Sequence, residues 1–167
     1  MRIFIIGPTG SGKTTLGRKL AKDLHLDWYD VDHWIEDIQK QSITQIFLEG
    51  EKRFRKLECD ALGLLSKKDN CVISTGAGII SDQDNQTILS KNYSIFLDVN
   101  LDEQLKRVKK SSKRPLLNQG DVYNTLLKMR EVRDPLYRNV ANHIVDTSGL
   151  SQREVLQRLK SLLRHDH

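Results

Sequence analysis

The residues Gly7-Pro8-Thr9-Gly10-Ser11-Gly12-Lys13-Thr14 match the phosphate-binding loop G-x-x-x-x-G-K-[ST] at every fixed position. No other segment constrains the fold as tightly. The glycines let the chain curl so that successive N–H groups point inward at a phosphate. The motif works only between a strand and a helix N-terminus, whose partial positive charge faces the anion. Both neighbours are present. Ile3-Phe4-Ile5-Ile6 is a continuous apolar run that reads as a buried strand, and Leu16, Leu20, Ala21 and Leu24 recur at helical spacing beyond the loop. A glycine-rich turn with a chance lysine would explain the loop but not its context. The chain is therefore expected to bind a nucleoside triphosphate, with Lys13 reaching the β- and γ-phosphates and the Thr14 hydroxyl serving Mg2+.

The alternation of apolar runs and amphipathic stretches continues along the chain. Asp27–Asp32, Cys71–Ser74, Tyr93–Leu97 and His143–Asp146 read as further short strands. Between them lie helical segments, roughly Ser42–Leu48 and Glu51–Leu65, with Gly50 as a helix stop. A final helix carries Val155, Leu156, Leu159, Leu162 and Leu163 on one face. About five short strands alternating with helices call for an α/β fold whose parallel sheet is covered on both faces. Ligands of such sheets gather at the carboxyl ends of the strands. That places the expected chemistry just after residues 6, 31, 75 and 98.

Composition narrows the class. A chain of 167 residues, 38% hydrophobic and 29% charged, is long enough for one domain with a sizeable core and too apolar for disorder. No apolar run approaches the ~20 residues needed to span a bilayer, and the N-terminal stretch is too short for a signal peptide. Cys59 and Cys71 make neither a disulfide framework nor a metal-ligand spacing, so a reduced, cytoplasmic setting is expected. The excess of 27 Lys and Arg over 22 Asp and Glu gives a net charge of +5, which admits nucleic acid or small anions as partners. The cations are dispersed, densest over Lys106–Arg114, and small anionic ligands are the favoured reading. The five histidines show no ligand spacing, and His165 and His167 read as a frayed tail.

A GTPase would carry a base-reading Asn-Lys-x-Asp, which is missing; Asp60-Ala61-Leu62-Gly63 lies within a predicted helix. A small-molecule kinase fits better. Asp30 and Asp32 end the second strand with side chains on one face, so one could hold Mg2+ while the other accepts a substrate proton. Alternatively Asp32 caps the next helix and Asp30 is solvated. Asp98, at the end of another apolar run, competes as the metal-site acid, and spacing does not decide between them. Arg55 could serve a ligand or pair with Glu51 or Glu58 along a helix; Arg133, before Asp134-Pro135, is equally ambiguous. Thr75-Gly76-Ala77-Gly78 offers free backbone N–H donors, or is a plain tight turn. Lys106–Leu117 reads as a lid closing over phosphates, or as a solvated basic loop. Trp28, Trp34 and the phenylalanines read as core.

Taken together, these residues resemble the shikimate kinase family over nearly the whole chain. The phosphate loop by itself names only a superfamily. The specific signal is the ordered set Asp30-Val31-Asp32, Phe54-Arg55 with Glu58, Gly76-Ala77-Gly78, Arg107, Arg114-Pro115-Leu116-Leu117, and Arg133 with Pro135-Leu136-Tyr137. The resemblance implies a P-loop three-layer α/β/α fold over residues 1–167, with a five-stranded parallel sheet of the nucleoside-monophosphate-kinase type. A substrate-binding segment at about 32–60 and a lid at about 109–120 would lie over the strand ends. It implies transfer of the γ-phosphoryl of ATP to the 3-hydroxyl of shikimate, a step toward chorismate and the aromatic amino acids. Asp32 would be the base, assisted by Lys13 and Arg114. Gly10, Ser11, Gly12, Lys13, Thr14, Thr15, Arg107 and Arg114 would hold the nucleotide. Asp32, Arg55, Gly76, Ala77, Gly78 and Arg133 would hold shikimate. Thr14 and Asp30 would serve one Mg2+ per subunit, which demotes Asp98. The expected partners are shikimate and ATP alone, with no nucleic acid and no membrane, on a monomer.

Two departures stand out. The family usually has three glycines where this chain has Gly76-Ala77-Gly78; a positive φ at Ala77 would cost about 1 kcal/mol, and its methyl could crowd the substrate. After Asp146-Thr147 the family often supplies an adenine-side arginine, whereas Ser148-Gly149-Leu150-Ser151 follows here, so looser nucleotide selectivity is expected. The alternatives are another P-loop kinase, acting on gluconate or a nucleoside monophosphate, and a non-catalytic nucleotide- or RNA-binding module.

Overall fold

A computed structural model describes residues 1–110 and 121–166. Its first strand, β1 (Arg2–Ile6), has Ile3, Phe4, Ile5 and Ile6 fully buried, as an apolar run with no polar alternation requires. It occupies the centre of a five-stranded sheet in the order β2-β3-β1-β4-β5, where β2 is Asp27–Asp30, β3 Cys71–Ser74, β4 Tyr93–Asp98 and β5 His143–Asp146. Every pairing is parallel, with Ile5 opposite both Ser74 and Ile95.

Alternate residues of the strands feed two cores. Phe4, Ile6, Ile73 and Phe96 face a layer that includes α2 (Val31–Gln39), α4 (Glu51–Leu65), α5 (Gln83–Ser90) and α7 (Val122–Val140). Ile3, Ile5, Val72, Ile95 and Leu97 face α1 (Lys13–Asp23) and α8 (Gln152–Asp166). Each such side chain contributes about 1.5–3 kcal/mol by leaving water, which fixes the strands between two helical layers. The short α3 (Ile43–Glu49) follows α2, and α6 (Leu101–Lys109) packs Val108 against Leu126 of α7. Helix starts are set locally: Ser42 and Gln45 form a reciprocal capping box on α3, and Asn100 caps α6 through the Glu103 N–H at 2.8 Å.

The sequence expectations need two adjustments. β2 stops at Asp30, whose Oδ1 accepts from the His33 N–H at 3.0 Å and caps α2, so Asp32 lies in the first helical turn rather than on a shared strand face with Asp30. The C-terminal residues are not frayed, because α8 runs to Asp166, whose Oδ2 lies 2.5 Å from both Tyr93 Oη and His143 Nε2; His167 lies outside the described residues. The basic stretch begins on α6, while Arg114 and most of the expected lid fall within 111–120, also outside the described residues. Among the described residues no helix is long and apolar enough to cross a membrane.

Candidate active site

A cavity of about 800 Å3 opens at the carboxyl ends of β1, β2 and β3. The phosphate loop forms its floor. Gly10 and Gly12 take φ values of 82° and 93°, which suit only glycine comfortably, and the chain enters α1 at Lys13. Gly10, Gly12, Lys13, Thr14 and Thr15 line the cavity, while Ser11 is fully buried beneath them with its Oγ unpartnered. Lys13 Nζ donates to the Pro8 carbonyl at 2.9 Å, which folds the lysine back over its own loop. Thr14 Oγ1 donates to Asp30 Oδ2 at 3.0 Å, so Asp30 both caps α2 and faces the loop.

Asp32 forms the next wall. Its Oδ1 is buried with no hydrogen-bond partner. Burial, reinforced by the negative charges of Asp30 and Glu58 and opposed by Lys13, pushes its carboxyl up to about 7. Glu58 on α4 is similar: its side chain is 1% exposed, Oε1 accepts from Arg55 Nη1 at 2.9 Å, and Oε2 is buried and unpartnered. Burial raises its titration against the pull of Arg55. These two acids close on Gly76, where an added Cβ would stand 3.2 Å from Glu58 Oε2 and 3.4 Å from Asp32 Oδ1.

Arg55 combines both roles that helical spacing offered. It pairs with Glu58 and, at 3.4 Å, with Glu51, and it also lines the cavity with its guanidinium over the rings of Phe54 and Phe47. Arg133 lines the same cavity from α7, and its positive charge acts on Glu58 and Tyr137. Gly76, Ala77 and Gly78 border the cavity between these elements. Gly78 is a close-approach position, since a Cβ there would stand 2.5 Å from Arg55 Nη2 and 2.6 Å from its Cζ. Ala77 opens a single 3-10 turn, Ala77–Ser81, and its carbonyl accepts from the fully buried Tyr137 hydroxyl. Its φ is not positive: His25, Lys40 and Asn70 are the described non-glycine residues that are left-handed. The expected strain at Ala77 is therefore not found, because the turn is right-handed.

Other expectations also shift. Asp98 does not line the cavity; its carboxylate pairs with Arg130 at 2.7 Å and Arg138 at 3.2 Å. Chemistry thus gathers after three of the four strand ends named from the sequence. Arg107 stands behind the phosphate loop, donating to the Gly10 carbonyl at 3.0 Å and pairing with Glu103. Phe54 is core, as read, with Phe47 packed against the same cluster, and both also border the cavity. Sequence reasoning gave Glu58 and Glu36 no role at the site and passed over Thr44 and Met129, all of which border the cavity. For Glu58 a signal existed, because Phe-Arg-x-x-Glu puts the acid three residues after Arg55 on one helical face.

The arrangement joins a phosphate cradle, two arginines suited to a carboxylate, and a raised acid in one enclosure. Three comparisons bear on it. The family model described as shikimate kinase matches residues 9–164. The chain is 40% identical over 164 residues to a shikimate kinase of Francisella philomiragia, covering 96% of this chain and 93% of that one. To a shikimate kinase of Marinomonas sp. it is 41% identical over 168 residues, covering 98% and 92%. Among solved structures, a shikimate kinase from Acinetobacter baumannii in complex with shikimate superposes with a TM-score of 0.94 at 34% identity, over 99% of this chain and 93% of that one. A deoxyadenosine kinase from M. mycoides, at 18% identity and a TM-score of 0.66, shares the fold.

Proposed function

The chain belongs to the shikimate kinase family, and from that premise we propose that it transfers the γ-phosphoryl of ATP to the 3-hydroxyl of shikimate, yielding ADP and shikimate 3-phosphate. The observation that carries the assignment of roles is the meeting of the phosphate loop, Asp32, Arg55 and Arg133 in a single cavity. Arg55 and Arg133 grip the substrate carboxylate, for which the planar guanidinium fork is the fitting partner. Backbone N–H groups at Gly76, Ala77 and Gly78 meet the hydroxyl side. Asp32, ionised, accepts the proton of the 3-hydroxyl as that oxygen bonds to the γ-phosphorus and the bond to the ADP oxygen breaks. A carboxyl titrating at about 7 is matched to this task near neutral pH. No covalent enzyme intermediate is required; catalysis is positioning plus charge stabilisation.

The phosphates lie on the N–H groups of Gly10–Thr15, countered by Lys13 and by Arg114. Arg107 serves the adenine side, since its Nη1 already bridges the Gly10 carbonyl and, at 3.3 Å, Thr147 Oγ1. Thr14 Oγ1 and Asp30 Oδ2, paired at 3.0 Å, would hold Mg2+, since both are the hard oxygen donors that such an ion accepts. When bound, the ion neutralises charge on the β- and γ-phosphates.

A coupled ADP-release assay with Mg·ATP tests the proposal, offering shikimate, quinate, gluconate, AMP and CMP in turn. ADP is expected with shikimate alone. Release with gluconate or a nucleoside monophosphate instead would reassign the acceptor and dissolve the carboxylate clamp. No release despite ATP binding would favour a non-catalytic module.

A further inference from the structure

Asp98 belongs to a network that none of the steps above uses. At its centre is Arg130 of α7, whose side chain is 14% exposed. All three guanidinium nitrogens are engaged. Nε donates to Asp134 Oδ2 at 3.1 Å and Nη2 to Asp98 Oδ1 at 2.7 Å, while Nη1 meets the Val99 carbonyl and, at 3.3 Å, Gln104 Oε1. From this centre two arms reach the phosphate loop. Gln104, 1% exposed, donates its amide to the Thr9 carbonyl at 2.9 Å. On the other side the Asp98 carbonyl accepts from Thr147 Oγ1 at 2.8 Å, and Thr147 is bridged by Arg107 to the Gly10 carbonyl. The arms therefore end on consecutive loop residues.

Arg130 also stands one helical turn before Arg133, and its Nε partner Asp134 is the next residue after it. Thr9, Gln104, Arg130 and Arg133 border one small cavity, with space for about one water. The hydrogen bonds from Arg130 to Gln104 and from Gln104 to the Thr9 carbonyl therefore tie the loop to α7. We propose that Arg130 is a positioning residue that holds the phosphate loop and the substrate-facing Arg133 in one register. Arginine is needed because its rigid fork meets acceptors on α6, α7 and the end of β4 at once, whereas a lysine ammonium is a point charge on a flexible stem. The proposal rests on the assignment of Arg133 to the substrate carboxylate.

The test uses the full chain with Arg130→Met and Arg130→Lys, at a temperature where near-ultraviolet circular dichroism shows the variants folded. Arg130→Lys keeps the charge and serves should Arg130→Met fail to fold. Loss of register is expected to raise KM about tenfold for both shikimate and ATP, with a matching loss in calorimetric ATP affinity. Gln104→Leu cuts the arm to Thr9 and leaves both the Thr147–Arg107 arm and the helix carrying Arg133 in place. It should raise KM for ATP while sparing shikimate, and should add little to Arg130→Met because the two act along one path. A role confined to stability would lower Tm and leave both constants within about twofold of wild type, which overturns the proposal, as does a rise for one substrate alone. Arg133→Met separates the two levels of inference. If it raises KM for shikimate while the Arg130 variants do not, only the positioning role fails. If it leaves that KM unchanged, the carboxylate assignment fails and the positioning role with it.

Discussion

Asp32 and Asp98 both stand at carboxyl ends of strands in one sheet, Asp32 just beyond β2 and Asp98 closing β4, and their surroundings treat them in opposite ways. Both oxygens of Asp98 are paired: Arg130 and Arg138 take one each, and Oδ1 also accepts the Val99 N–H at 2.8 Å. Asp32 keeps a buried oxygen without a partner, beside Asp30 and Glu58, and titrates far above an ordinary carboxyl. An acid with a cation on each oxygen is architecture, since removing it takes a partner from the largely buried Arg130. An acid held under-partnered costs stability and is ready to take a proton. Position on the sheet marks both as candidates; the neighbours decide between them.

The sharpest way to break this contrast is Asp32→Asn. Turnover should fall by about 10^2–10^4, the share typical of a positioned base, while ATP binding persists; near-normal turnover would remove Asp32 from that role. The same group sets a pH dependence. Its folded value of about 7 lies above the ordinary 3.8, so the fold favours the protonated form. Ionisation then costs stability, beginning as pH rises past about 4 and complete above about 7. Asp32→Asn should therefore melt higher than wild type at about pH 8 and equally at about pH 4. In wild type, kcat/KM should climb with pH through a midpoint of about 7.

Next in size is Gly78→Ala, which drives a methyl into the Arg55 guanidinium. KM for shikimate should rise about 10–100-fold, the worth of a charge-assisted hydrogen bond, with KM for ATP unchanged. An unaltered shikimate constant would mean that Arg55 does not hold the substrate. Asp98→Asn tests the other side of the comparison: about 2 kcal/mol of stability should be lost in urea unfolding, without any change in the Mg2+ concentration required. A shifted metal requirement would restore Asp98 as a metal ligand and erase the contrast. The smallest effect is expected from Ala77→Gly. With ordinary φ at Ala77 only the crowding methyl is removed, so KM for shikimate should drop about threefold or less, at about 0.4–1 kcal/mol in stability.

Much of this is legible in the sequence. The strand, loop and helix around Lys13 follow from contiguous residues, and the Phe54-Arg55-x-x-Glu58 spacing put cation and acid on one helical face. Less legible was the junction at Asp30. Strand propensity and capping chemistry compete there, and the cap wins because the Asp30 carboxylate reaches the His33 N–H. The contact of the Ala77 carbonyl with the Tyr137 hydroxyl was equally hidden, since its two residues are sixty positions apart in the chain.

By itself the sequence determined what depends on neighbours a few residues apart: the phosphate loop, the two apolar faces of β1, β3 and β4, and the set of cations and acids available to a carboxylate-bearing substrate. Tertiary structure decided which of those groups are spent on one another. Arg130 and Asp98 are separated by 32 positions and neutralise each other at 2.7 Å. Asp32 and Glu58 are 26 positions apart and converge on Gly76 with an orphaned oxygen each. Desolvation and pairing are properties of the packed neighbourhood rather than of the residue, so only the folded arrangement could distinguish the acid left with an unpartnered oxygen from the acid held by two arginines.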